Sequence, residues 1–144
     1  MDFVQINDRD GRCLSVDLRH ILRVLGHRAE QLWWAVGPIH GEYFEAMGEG
    51  QAELKQLEVS GRRLAGPAFG ALAERVHQVI WGDFAGFATE DAETPELIIC
   101  AIDSSYYEVH AVDDAILDRM RQSFADVTDG DSRQLMFDDQ PWRR

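Results

Sequence analysis

Leu18, Ile21, Leu22 and Leu25 recur at i, i+3, i+4 and i+7, the repeat of one helical face. Asp17 precedes them as an N-cap and Gly26 follows where helices commonly turn left-handed. Arg19 and Arg23 fall on the opposite, wet face. A second helix opens at Gly66 and Pro67, with proline at the first helical position, where its missing N–H is no loss. Phe69, Leu72, Ala73 and Val76 form its apolar face. A third helix is predicted over residues 113–127. Ile116, Met120, Phe124 and Val127 stack along it, and Asp113 and Asp114 sit at its N-terminal end, where negative charge is favoured.

Between these helices the period shortens to two. Residues 3–6 form a strand candidate, a turn around Asp10 and Gly11 follows, and residues 12–16 can pair back. Residues 31–36 are short and aromatic and end at Gly37 and Pro38, the marks of a strand. Residues 42–47 and 51–59 read as two extended stretches around Gly48, Glu49 and Gly50, with a helix over 51–57 as the competing reading. Residues 79–87 form a strand with interspersed phenylalanines, and the acidic stretch 89–95 is a solvated loop. Residues 97–102 run without a polar break, as a strand buried on both faces does. After a turn at 103–105, residues 106–112 alternate, with Tyr107, Val109 and Ala111 on one face and Glu108 and His110 on the other. These elements predict one α+β domain over 1–127, an antiparallel or mixed sheet of about 4–6 strands carrying three helices. Residues 128–144 read as a polar tail in which Leu135, Met136, Phe137 and Trp142 are candidates for docking on the domain.

Composition narrows the partners. The 144 residues hold 26 acidic and 14 basic side chains, a net charge of −12. Phosphate neutralisation requires a basic surface, so direct nucleic-acid binding is not expected, nor is adhesion to an anionic membrane. The start, MDFVQINDRD, has neither the positive nor the apolar region of a secretory signal, and no 18-residue apolar window occurs. The two cysteines, Cys13 and Cys100, make no disulfide framework, and Cys100 reads as a small buried hydrophobe. A reduced, cytoplasmic protein is the expectation.

No motif of catalytic specificity is present. Placing Gly11 at the glycine of a calcium loop puts Ile6 at the first ligand position, where an aspartate is required. The segment from Gly61 to Gly66 lacks the lysine of a nucleotide loop, and Pro67 removes a backbone donor. None of His20, His27, His40, His77 and His110 falls in a zinc pattern, and Ser104, Ser105, Asp103 and His110 read as a polar turn. Asp83, Asp103 and Glu108 are the carboxylates a paired site would use, at distances the sequence does not give. Catalytic, cofactor and metal residues are therefore expected to be none. Trp33, Trp34, Trp81 and Tyr107 are candidates for an aromatic pocket, although neighbouring strand residues such as Trp33 and Trp34 point to opposite faces.

Charge is distributed unevenly. Residues 1–72 hold 10 acidic and 8 basic side chains, whereas residues 73–144 hold 16 and 6. No Lys or Arg occurs between Arg75 and Arg119, where ten acidic residues do. Asp83, Glu90, Asp91, Glu93, Glu96, Asp103, Glu108 and Asp113 are the candidate contacts for a basic protein partner, since interfacial charge steers association and sets specificity.

The stretch VIWGDFAGF, followed by ELIICAIDSSYYEVHAVDDAILDRMRQSFADV, resembles a group of small bacterial proteins. Their pattern is a helix, a glycine-containing strand like residues 78–84, a strand pair like that around 101–105, and a closing helix ending near Phe124. In broad type, such small acidic proteins are similar to immunity proteins of bacterial toxin systems. The charge asymmetry, together with the absence of a catalytic motif, points to a non-enzymatic binding protein, most concretely an immunity-type inhibitor that uses the acidic C-terminal half to occlude a basic effector, with no cofactor. A small-ligand-binding domain or enzyme with an aromatic pocket is the alternative, and an oligomer-forming structural module that buries an outward tryptophan is another.

Overall fold

A computed structural model of the chain describes residues 1–38 and 44–130. The elements in chain order are β1 (Asp2–Ile6), β2 (Arg9–Asp10), β3 (Cys13–Leu14), α1 (Leu18–Leu25), α2 (His27–Glu30), β4 (Trp33–Gly37), β5 (Glu45–Met47) and α3 (Gln51–Ser60). They continue with β6 (Leu64–Ala65), α4 (Gly66–Ala73), β7 (Gln78–Phe87), β8 (Leu97–Ile102), β9 (Tyr106–Ala111), α5 (Asp114–Ser123) and β10 (Val127–Gly130). Eight strands form one sheet in the order β10-β1-β9-β8-β7-β4-β6, with β5 also on β7, while β2 and β3 make a separate hairpin. Every pairing is antiparallel. The ten-residue β7 is long enough to hold β4 along residues 83–87 and β5 along 78–81 on the same edge.

The helices cover one face of this sheet. Leu18, Ile21, Leu22 and Leu25 of α1 are buried, as their spacing requires, against Val4, Ile6, Tyr107 and Val109 of the strands and Met120 of α5 in one continuous core. Trp34 anchors the other half of that core. Its indole stacks on Phe69 of α4 at 5.1 Å between ring centroids, and its Nε1 donates to the Ala29 carbonyl at 3.0 Å. Gly66 opens α4 where the chain passes close to α2, because a Cβ there would lie 2.4 Å from the carbonyl oxygens of Ala29 and Glu30. The opposite face of the sheet carries a second, smaller cluster of Ala35, Ala85, Phe87, Ile98 and Cys100, with Trp33 and Trp81 packed against it.

The α+β class stands, and among the described residues the element count is corrected upward to five helices and an eight-stranded sheet. Residues 51–60 are helical, not extended. Only Leu54 and Leu57 of α3 are buried, so its apolar signal is one residue pair per two turns, and Gly61 at φ 68° ends it. The closing helix is about a turn shorter than predicted. Phe124 is already extended, and Val127 belongs to β10, paired with Ile6 of β1. A domain boundary after residue 127 would therefore cut a strand. Residues 128–130 look like tail because β10 is an edge strand with mostly exposed side chains. Leu135, Met136, Phe137 and Trp142 lie outside the described residues.

Candidate functional site

Three strands place ionisable groups on the face away from the helices. Asp83 of β7 pairs in register with Cys100 of β8, which pairs with Glu108 of β9, which pairs with Gln5 of β1. Two residue pairs further along the ladder, His110 lies between Ile98 and Phe3. Glu108 and His110 are two apart on one strand and so point the same way. His110 Nε2 lies 3.0 Å from Glu108 Oε1, and its ring stacks on Phe3 at 4.5 Å. All four groups are buried, Asp83 to 1% exposure and His110 to 0%.

Burial governs the protonation of Asp83 and Cys100. Loss of water pushes the Asp83 carboxyl up to about 8, with a further rise from Glu108, while the Cys100 thiol opposite favours the ionised form. Neither carboxylate oxygen of Asp83 has a hydrogen-bond partner of ordinary geometry. Burial also holds the Cys100 thiol well above its usual range, so it is not poised as a nucleophile. Among the described residues, Cys100, Glu108 and His110 form a trio of potential metal ligands whose donor atoms all lie within 4.8 Å of one another.

The candidate contacts for a basic partner divide into three groups. Asp83 and Glu108 belong to the buried row, and their burial removes them from an exposed docking face, which corrects that part of the expectation. Asp103 is exposed in the turn between β8 and β9. The other five gather at the opposite end of the sheet. Glu90, Asp91 and Glu93 lie in the β7–β8 loop, Glu96 closes it, and Asp113 caps α5 by accepting from the Ala115 N–H at 2.9 Å. These segments meet where Leu97 pairs with Ala111 and the Val112 N–H donates to the Glu96 carbonyl at 3.2 Å.

Two arginines organise this acidic end. Arg28 of α2 reaches Glu96 at 2.7 Å and Asp113 at 3.9 Å. Arg63 lies 3.5 Å over the Phe87 ring and donates to the carbonyl oxygens of Glu90 at 2.8 Å and Thr89 at 3.4 Å. The loop is therefore pinned through its backbone, leaving the Glu90, Asp91 and Glu93 side chains exposed. Val112, whose N–H meets the Glu96 carbonyl, has 69% of its surface in water.

The four aromatic pocket candidates do not share a face. Trp34 and Tyr107 are in the core beneath the helices, and Trp33 and Trp81 are half-buried on the other side. Strand alternation forbids the single pocket expected of them. A cleft of about 320 Å³ between α1, α2 and α4 is lined by none of them, and across it Arg23 pairs with Glu74, Nε to Oε2 at 2.7 Å. No helix among the described residues is long and apolar enough to cross a membrane.

Sequence reading grouped Asp83 and Glu108 as carboxylates but missed the Cys100–Glu108–His110 trio. The signal was there. Residues 97–102 and 106–111 mirror each other about the 103–105 turn, which sets Cys100 opposite Glu108. Comparison of the chain with protein-family models, with curated proteins and with solved structures finds no match.

Proposed function

We propose that this chain is a non-enzymatic binding protein that docks a basic protein partner on the acidic end of its sheet, in the manner of an immunity-type inhibitor of a bacterial effector. The observation that supports this reading is the gathering of Glu90, Asp91, Glu93, Glu96 and Asp113 around the β7–β8 loop and the start of α5, next to the exposed Val112. Charge gathered at one end of a sheet accelerates encounter with a partner of opposite sign and sets its specificity. Arg63 and Arg28 fix the backbone and two of the carboxylates, so the surface is preorganised and loses little entropy on binding.

The test is capture from a lysate of the source bacterium with wild type and with a Glu90→Lys/Asp91→Lys/Glu93→Lys variant as bait. A basic protein retained by wild type, lost by the variant and released more readily at high salt is the expected result. A partner bound equally by both baits, or with no salt dependence, overturns the reading.

A further inference from the structure

The buried row on the far face of the sheet is independent of the docking surface and points to different chemistry. We infer that Cys100, Glu108 and His110, with Asp83 beside them, form a closed binding site for one borderline-soft divalent metal ion, zinc foremost. The donor set is one sulfur, one imidazole nitrogen and carboxylate oxygen, the mixture that suits zinc and does not suit magnesium or calcium. The three donor atoms lie within 4.8 Å of one another. Tetrahedral zinc with bonds of about 2.0–2.3 Å holds its ligand atoms roughly 3.5 Å apart, so closing the site needs side-chain movement of about 1 Å at the widest pair.

Asp83 supplies the independent observation. Its carboxylate is 1% exposed, has no hydrogen-bond partner of ordinary geometry, and faces Cys100 across the β7–β8 ladder. A buried carboxyl left in that state is costly unless something positive or hydrogen-bonding meets it. A metal ion held by the trio would meet it, with Asp83 as fourth ligand or as acceptor beside the sulfur. Binding releases the Cys100 thiol proton and any proton on Asp83 to solvent, and the ion's charge compensates the buried anions that remain. Because the ligands come from β7, β8 and β9, the ion would tie together the three central strands of the sheet.

The test uses the full chain carrying Cys13→Ser, which removes the exposed second thiol, after treatment with a chelator. Titration with Co²⁺ reads the site directly. The expected result is saturation at one equivalent, with a thiolate-to-cobalt charge-transfer band and visible bands of tetrahedral intensity. Zn²⁺ should displace the cobalt and raise the melting temperature. Cys100→Ala should abolish the charge-transfer band, and Asp83→Asn should weaken zinc affinity by roughly 10–100-fold. Circular dichroism on each variant separates loss of ligand from loss of fold. Should a variant fail to fold, titration of the Cys13→Ser protein alone still decides, because Cys100 is then its single thiol. Folded Cys13→Ser protein with no charge-transfer band overturns the proposal, as does a band that survives in Cys100→Ala.

Discussion

A carboxyl held near pH 8 makes the protein's stability depend on pH in an uncommon direction. An unfolded aspartate titrates near 3.9, so between about pH 4 and 8 the native state holds a proton on Asp83 that the unfolded state has released. The stabilisation is complete below the unfolded value and is lost as pH rises through the folded one, at up to about 1.4 kcal/mol per pH unit. Denaturant unfolding of chelator-treated protein at pH 5 and pH 8 should show this fall in wild type and a much flatter response in Asp83→Asn. The adjacent tryptophans offer a second contrast. Trp34→Phe removes the indole donor from the Ala29 carbonyl, which keeps the Leu32 N–H at 3.3 Å, and opens space beside Phe69, for a loss of roughly 1–3 kcal/mol. Trp33→Phe, on the half-buried face, should lose less than half as much in the same assay.

Among the elements, α4 is the one set most tightly by a single backbone atom. Gly66→Ala would drive a methyl group to 2.4 Å from two α2 carbonyl oxygens, which are backbone and yield little. Thermal unfolding should report a loss of about 1–3 kcal/mol, against little change for Gly70→Ala, where a Cβ meets nothing within 4 Å. The α1 helix and the β8–β9 pair were legible in the sequence because each states its period over at least two turns or six residues. The α3 helix was not, because two buried leucines cannot outweigh a Gly-Glu-Gly turn and a β-branched residue such as Val59. The candidate sites divide the same way. The turn at 103–105 made the Cys100–Glu108 pairing readable in principle. Asp83 joins them across a loop of about nine residues, whose register no local pattern fixes. The exposed acidic end was visible as charge, but which acids stay exposed depended on how far β7 and β9 run into the sheet.

At the scale of the whole molecule, the eight candidate acids fall in different surroundings: Asp83 and Glu108 lie in the buried row, where Asp83 is held protonated, while Glu90, Asp91 and Glu93 of the acidic end meet water. Only the exposed part can steer a partner. Logarithmic plots of association rate against ionic strength should therefore flatten in the triple-lysine variant and stay unchanged in Asp83→Asn. The position of β1 bears on a different matter, the order in which the chain assembles. The first strand lies between β9 and β10, so among the described residues the strand partners of residues 2–6 lie within 107–130. During synthesis this segment must wait, without strand partners and largely apolar, until residues 107–130 have left the ribosome. Closing so long a loop places refolding on the millisecond-to-second scale of β-rich domains, and destabilising β10 should slow the last phase of folding without disturbing the β7–β8–β9 meander.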